Sequence, residues 1–165
     1  MGARTVMHIL VISDTHGHLE NVREVLKKDG PFDMILHLGD VCRDEDELRD
    51  MAGERCTVSI VRGNCDIFSR EPDQRDFKIG KYNIHMEHGQ YLPYSLQSIS
   101  YKAEEIGADI MFFGHTHSPL LTWQGNVRIV NPGSISKPRQ ADGNPTYLLM
   151  DVDAEGEISF TPKHL

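Results

Sequence analysis

A chain of 165 residues with 39% hydrophobic and 25% charged residues is long enough to bury one continuous core and too polar for a bilayer. Seventeen Lys+Arg against 25 Asp+Glu leave a net charge of −8, which excludes bulk nucleic-acid binding through a broad basic footprint but not a local phosphate ligand. Three cysteines, Cys42, Cys56 and Cys65, form an odd and sparse set that suits a reducing compartment rather than a disulfide framework.

The first apolar run is interrupted by His8 and stopped by Asp14, so it is too short for a secretory signal or a membrane span. Met1-Gly2 lacks the Ser or Thr that myristoylation requires, because Val6 stands there. A single domain over residues 1–165, cytoplasmic and without a membrane partner, is the expectation. Met7–Ile12 has the continuous β-branched character of a strand buried on both faces. Leu19, Val22, Val25 and Leu26 recur at helical spacing, Lys27-Lys28 suits a last turn, and Gly30-Pro31 ends the helix. Met34–Leu38 is a second strand, Asp44–Ala52 a short acidic helix closed by Gly53, and Cys56–Val61 a third strand. This β-α-β-α-β order implies parallel strands joined by right-handed crossovers.

Asp66–Arg75 is polar, contains Pro72 and reads as a loop. Phe77–Ile79 and Tyr82–Met86, turned at Gly80-Lys81, form a hairpin. Leu96, Ile99, Ala103 and Ile106 predict another helix, stopped at Gly107, and Asp109–Phe113 is the next strand. Leu120–Trp123 and Val127–Val130 make a second hairpin around Gly125-Asn126, followed by a turn at Asn131-Pro132-Gly133-Ser134. Tyr147–Val152 and Glu157–Thr161 complete a β-rich tail. The predicted fold is α/β, with two packed, mostly mixed β-sheets flanked by helices.

Five of these apolar runs end in side chains that bind metals: Asp14 and His16, Asp40, Asn64, His88, and His115 with His117. Ligands collect at the carboxyl ends of strands in open α/β folds, because the loops there converge. Asp, His and Asn with almost no Cys suit hard-to-borderline divalent cations such as Mn²⁺, Zn²⁺, Fe²⁺ or Ni²⁺. Each residue alone has an ordinary reading: Asp14 as a helix cap, Asn64 in a left-handed turn, His115 and His117 as loop residues. His8, His37 and His85 lie within strands and are expected to be packed or hydrogen-bonded. His18 opens a helix, His164 belongs to a solvated tail, and Cys42 is expected as a small buried thiol. Tyr91, Leu92 and Tyr94 suit a substrate rim or packing.

Ser13-Asp14-Thr15-His16-Gly17, His37-Leu38-Gly39-Asp40, Arg62-Gly63-Asn64-Cys65-Asp66, His88-Gly89, Gly114-His115-Thr116-His117 and Asn131-Pro132-Gly133-Ser134 follow one another between Ile9 and about Ser136. In this order they resemble the calcineurin-like metallophosphoesterase superfamily, in its small single-domain bacterial and archaeal phosphodiesterase branch. The resemblance implies two divalent metal ions, manganese foremost, roughly 3.5–4 Å apart. One is held by Asp14, His16, Asp40 and His117, the other by Asp40, Asn64, His88 and His115, with Asp40 bridging. It implies hydrolysis of small phosphodiesters by a metal-bridging hydroxide at a cluster that keeps a charge of about +1. Many relatives carry His where Cys65 stands, which leaves the general acid unassigned between Cys65 and Asp66 as catalytic candidates. Gln90 stands where relatives often complete His-Gly-His. The alternatives are a scaffold for protein partners that has lost turnover, or a phosphomonoesterase or protein phosphatase. No insertion forms a cap, so the pocket for a small phosphate ester is expected to be open. Exposed hairpins and Trp123 leave room for a homodimer.

Overall fold

The computed structural model describes residues 4–93 and 95–165; Met1-Gly2 and Tyr94, singled out above, lie outside the described residues. The elements run β1 (Thr5–Ile12), α1 (Glu20–Asp29), β2 (Met34–His37), α2 (Glu45–Ala52), β3 (Thr57–Ile60), β4 (Gln74–Ile79), β5 (Tyr82–Glu87) and α3 (Leu96–Ile106), then β6 (Ile110–Phe112), β7 (Leu120–Gln124), β8 (Val127–Asn131), β9 (Thr146–Asp153) and β10 (Ile158–His164). They build two five-stranded sheets, ordered β10-β9-β1-β2-β3 and β4-β5-β6-β8-β7. The β1-β2-β3 strands are parallel as the crossovers require, and β9 pairs antiparallel with β1, so the sheet is mixed. The second sheet mixes parallel β5-β6-β8 with antiparallel edges. The expected α/β architecture of two mixed sheets and three helices is what the chain forms.

The strands are continuously apolar because both of their faces are covered. Ile9, Val11 and Leu36 of one sheet meet Ile84, Met86, Ile110, Phe112 and Val130 of the other between the layers. On the outer face, Leu10, Ile12, Ile35 and Ile60 pack against Val22 and Val25 of α1 and Leu48 of α2. Ile99 and Ala103 of α3 cover Met111 and Ile129 on the far side. Each fully buried aliphatic side chain contributes about 1.5–3 kcal/mol. That is ample to hold the loops beyond the strand ends in one arrangement.

Most boundaries lie within one or two residues of expectation, and two move by three. Gln74 and Arg75 extend β4, opposite Glu87 and Met86, instead of belonging to the loop. Arg75 anchors that extension by donating from Nε to Ile60 O at 2.9 Å, fifteen residues away, and from Nη2 to Glu71 at 2.8 Å, four residues away. β10 runs through Pro162 to an exposed His164, so that residue ends a strand rather than lying in a tail. Proline is tolerated because β10 is an edge strand. Among the described residues no helix is long and apolar enough to cross a membrane.

The carboxyl ends of β1, β2, β3, β5 and β6 come together, and their loops are stitched by main-chain bonds. Asp14 N donates to Gly39 O at 3.0 Å, His16 N to Asp40 O at 2.8 Å, and Gly114 N to His88 O at 2.9 Å. The two sheets are joined there through His88 Nδ1, which donates to Leu38 O at 2.7 Å, and His115 N, which donates to Asp14 Oδ2 at 3.0 Å.

Candidate metal centre

All seven residues singled out as metal ligands fall in this one cluster, and their donor atoms form an unbroken run. Asn64 Oδ1 lies 3.1 Å from His115 Nδ1, which lies 3.2 Å from His88 Nε2. His88 Nε2 is 3.2 Å from Asp40 Oδ2, which is 3.5 Å from His16 Nε2. His16 Nε2 is 3.1 Å from His117 Nε2, which is 3.2 Å from Asp14 Oδ1. Bonds of about 2.1 Å at tetrahedral to octahedral angles set neighbouring ligand atoms about 3.0–3.4 Å apart. Five of the six spacings fall in that range, and Asp40 Oδ2 to His16 Nε2 is marginally wider at 3.5 Å.

A second feature fits a cation better than a hydrogen-bonded cluster. Asp14 Oδ1 is buried and accepts no hydrogen bond, although three imidazole Nε2 atoms stand 3.2, 3.6 and 3.8 Å from it. His117 Nε2 is within reach of that oxygen without bonding it, and His16 and His88 stand beyond hydrogen-bond distance. A donor set of two carboxylates, an amide and four imidazoles is chemically suited to a pair of borderline divalent ions.

The backbone is bent to this purpose. Asp14, His16, Asp40, His115 and His117 all have positive φ, at 56°, 49°, 60°, 67° and 57°. A left-handed conformation costs an L-residue roughly 1–2 kcal/mol, and such strain collects at functional sites. Here it is offset by hydrogen bonds: the Ser134 and Ser136 hydroxyls donate to Asp14 O at 2.8 and 3.0 Å, and Ser136 also donates to Thr15 O at 2.7 Å. The Asn-Pro-Gly-Ser turn signalled Ser134; nothing local pointed to Ser136.

The ring tautomers are fixed from behind. His88 donates its Nδ1 proton to Leu38 O and His117 its Nδ1 proton to Lys137 O at 2.6 Å, which leaves both Nε2 lone pairs facing the centre. For His16 the atom behind Nδ1 is Cys42 Sγ at 3.7 Å. Cys42 is therefore half-buried beside the cluster, in a left-handed conformation with φ 62°, rather than a thiol of the core. Backbone carbonyls and this sulfur carry no sequence motif, so sequence reasoning missed them.

Burial pushes the Asp14 carboxyl up, but the imidazoles of His117, His16 and His88 and the Ser13 hydroxyl outweigh it and hold Asp14 well below the usual carboxylate range. Asp40 is lowered as well, burial being overcome by His88 and the Cys65 amide. In return His88 is raised against its burial by Asp40 and Asp14, and His117 is raised chiefly by Asp14. His115 is lowered, first by burial and then by His88. Cations would take the place of those imidazole protons.

Asp66 is buried and spends both oxygens on main-chain amides: Asp40 N at 2.8 Å and Gly63 N at 2.9 Å on Oδ2, and Cys42 N at 2.7 Å on Oδ1. It binds three amides and no histidine. Cys65 is exposed, its amide donates to Asp40 Oδ1 at 2.8 Å, and its sulfur accepts from Asn64 Nδ2 at 3.6 Å. With Cys42, Arg43, Ile67 and Phe68 it lines an open cleft of about 360 Å³. His18 is exposed, Leu92 packs under α3, and Tyr91 stands in a separate small cleft with Gln90 and Lys102.

The strand histidines are satisfied as expected. His8 pairs with Asp151 at 2.6 Å, and His85 sits between Asp76 at 2.8 Å and Glu87 at 3.0 Å. His37 accepts from Gly39 N at 3.0 Å on Nδ1, so Nε2 carries the proton toward Thr15 Oγ1, also at 3.0 Å. Burial lowers this ring from 6.5 to about 4. A folded value below the unfolded one means stability that is full above pH 6.5 and is lost as pH falls toward 4, by roughly 3 kcal/mol from this group. An NMR titration should show the His37 ring neutral until near pH 4; a midpoint close to 6.5 would contradict this.

The profile of the calcineurin-like phosphoesterase superfamily domain matches residues 7–155. The probable metallophosphoesterase YsnB of Bacillus subtilis (strain 168) is 35% identical over 136 residues, 81% of this chain and 78% of that protein. In structure, an archaeal phosphodiesterase is similar with a TM-score of 0.70 at 24% identity, over 96% of this chain and 100% of that one. Vps29 of Entamoeba histolytica, solved with zinc, is similar with a TM-score of 0.77 at 20% identity, over 96% and 99%. At those identities the two structures speak for the fold alone. The profile and the bacterial relative go further: this chain belongs to the calcineurin-like phosphoesterase superfamily.

Proposed function

We propose that the protein hydrolyses small phosphodiesters with two divalent cations, manganese foremost, one held by Asp14, His16, Asp40 and His117 and the other by Asp40, Asn64, His88 and His115. The observation that carries this reading is the run of seven donor atoms from five loops, each 3.1–3.5 Å from the next. When bound, such cations offset phosphoryl charge and draw the pKa of a water from about 15.7 towards 7.

The chain's own contribution is placement. Leu38 O and Lys137 O orient His88 and His117, Asp66 fixes the amides of the Asp40 loop, and Asp14 is kept ionised by its surroundings. The Cys65 thiol lies beside Asn64 and lines the adjoining cleft, and we assign it the proton that leaves with the departing alcohol. Asp66 then acts by positioning rather than by proton transfer. The cleft beside the cluster is open, which suits a small ester.

A scaffold without turnover is the rival, supported by the likeness to Vps29. Since that neighbour was itself solved with zinc, bound metal does not separate the two readings; turnover does. Chelator-stripped protein should be assayed with an aryl phosphodiester and an aryl phosphomonoester, with and without Mn²⁺. Diester hydrolysis that requires the metal and exceeds monoester hydrolysis is expected. Silence with both esters across manganese, zinc, iron and nickel would favour the scaffold.

A further inference from the structure

Two thiols lie side by side at this centre in a chain that has only three. Cys42 Sγ, Cys65 Sγ and a ring nitrogen of His16 are all within 4.8 Å of one another. The segments that carry the sulfurs are clamped together: Asp66 accepts from Cys42 N at 2.7 Å, and Asp40 accepts from Cys65 N at 2.8 Å. Each thiol also touches a candidate ligand of a different cation. Cys42 stands behind His16 at 3.7 Å, and Cys65 accepts from Asn64 at 3.6 Å. A closed thiolate metal site needs four donors, and among the described residues only His16 joins these two sulfurs, with its other nitrogen already facing the cluster.

We propose that Cys42 and Cys65 are a redox couple that closes to a disulfide on exposure to a peroxide and thereby weakens metal binding at the adjacent centre. Cys65 is exposed at the cleft mouth and meets the oxidant first. Its sulfur attacks one peroxide oxygen, the O–O bond breaks, and Cys65 becomes a sulfenic acid with release of one water. The Cys42 sulfur then displaces the sulfenic hydroxyl, which leaves with the Cys42 proton as a second water. The two thiols have lost two electrons and two hydrogens, and the peroxide has gained them. Rotation of the exposed Cys65 side chain brings the sulfurs to the roughly 2.05 Å of a disulfide. Closure removes the Cys42 proton that can face His16 Nδ1 and takes Cys65 away from Asn64, so both ligands lose the contact behind them. Removing such supporting contacts costs about 10–100-fold in metal affinity. The same step removes the proton assigned above to the leaving group. The couple stands on its own geometry; only its effect on the centre rests on the proposed metal site.

The test treats metal-loaded protein with stoichiometric hydrogen peroxide, alkylates the remaining thiols and reads intact mass, peptide map and metal affinity. Expected are a loss of two hydrogens, one alkylatable thiol, a peptide crosslinked between Cys42 and Cys65, and metal affinity about 10–100-fold weaker. Dithiothreitol should reverse all of these. Cys56→Ser should retain the crosslink, and Cys42→Ser should leave a dimedone-reactive sulfenic acid on Cys65. Three free thiols after treatment, or Cys65 carried to sulfinic acid beside a free Cys42, overturns the couple. A crosslink with unchanged metal affinity overturns its link to the centre. None of these readouts needs turnover, so a protein that forms the crosslink but hydrolyses no phosphate ester sinks the hydrolase reading and leaves the couple standing.

Discussion

Replacing Asp40 with Asn is expected to strip both cations and to lower phosphodiester hydrolysis by about three orders of magnitude or more. Asp40 Oδ1 accepts the Cys65 amide, and Oδ2 lies between His88 Nε2 at 3.2 Å and His16 Nε2 at 3.5 Å. An asparagine keeps the first contact with its carbonyl oxygen and must then turn an NH₂ donor toward the two imidazoles. The shared negative charge disappears, and a donor points where an acceptor is required. Because the Cys65 bond survives, the fold should persist, and circular dichroism should match that of the parent. Metal analysis of the purified variant checks the outcome, and tight retention of two ions would contradict the bridging role of Asp40.

A single methyl group at Gly63 should be nearly as damaging, for a steric reason. A Cβ there would lie 2.2 Å from Asp40 Oδ1, 2.4 Å from Asp40 N and 2.9 Å from Asp40 Cγ. Asp40 cannot yield cheaply, since Asp66 Oδ2 accepts from both Asp40 N and Gly63 N. Overpacking of this kind costs about 1–3 kcal/mol, and here the displaced group is the carboxylate shared by both proposed ion sites. Gly63→Ala should therefore lower the urea midpoint and also abolish metal retention. Gly53→Ala is the contrast: its φ of 84° is strained for alanine, but a Cβ there meets nothing within 4 Å. That variant should lose some stability and keep its metal. Equal metal retention by the two variants would refute the argument.

Most of the architecture was legible because each apolar run is local information. Met7–Ile12 and Met34–Leu38 had to be strands covered on both faces, and the helices between them forced parallel pairing. The early end of β4 was not legible, because Gln74 and Arg75 are held by pairing with Glu87 and Met86 and by the bond from Arg75 to Ile60 O. His164 was read as a tail residue, because pairing with β9 decides where the last strand ends.

By itself the sequence determined which side chains meet, since donor types placed just past strand ends can converge only at one rim of such sheets. It also determined the sign of the chemistry, since Asp, His and Asn select borderline divalent cations. Only the tertiary structure decided how those groups are aimed. The Nδ1 protons of His88 and His117 go to carbonyls of Leu38 and Lys137, 50 and 20 residues away along the chain. The same holds for Cys42, expected as a small buried thiol and found half-buried behind His16, and for Asp66, committed to three amides. A carbonyl or a thiol has no signature in sequence; its role is set by what packs against it, and that is a property of the folded chain.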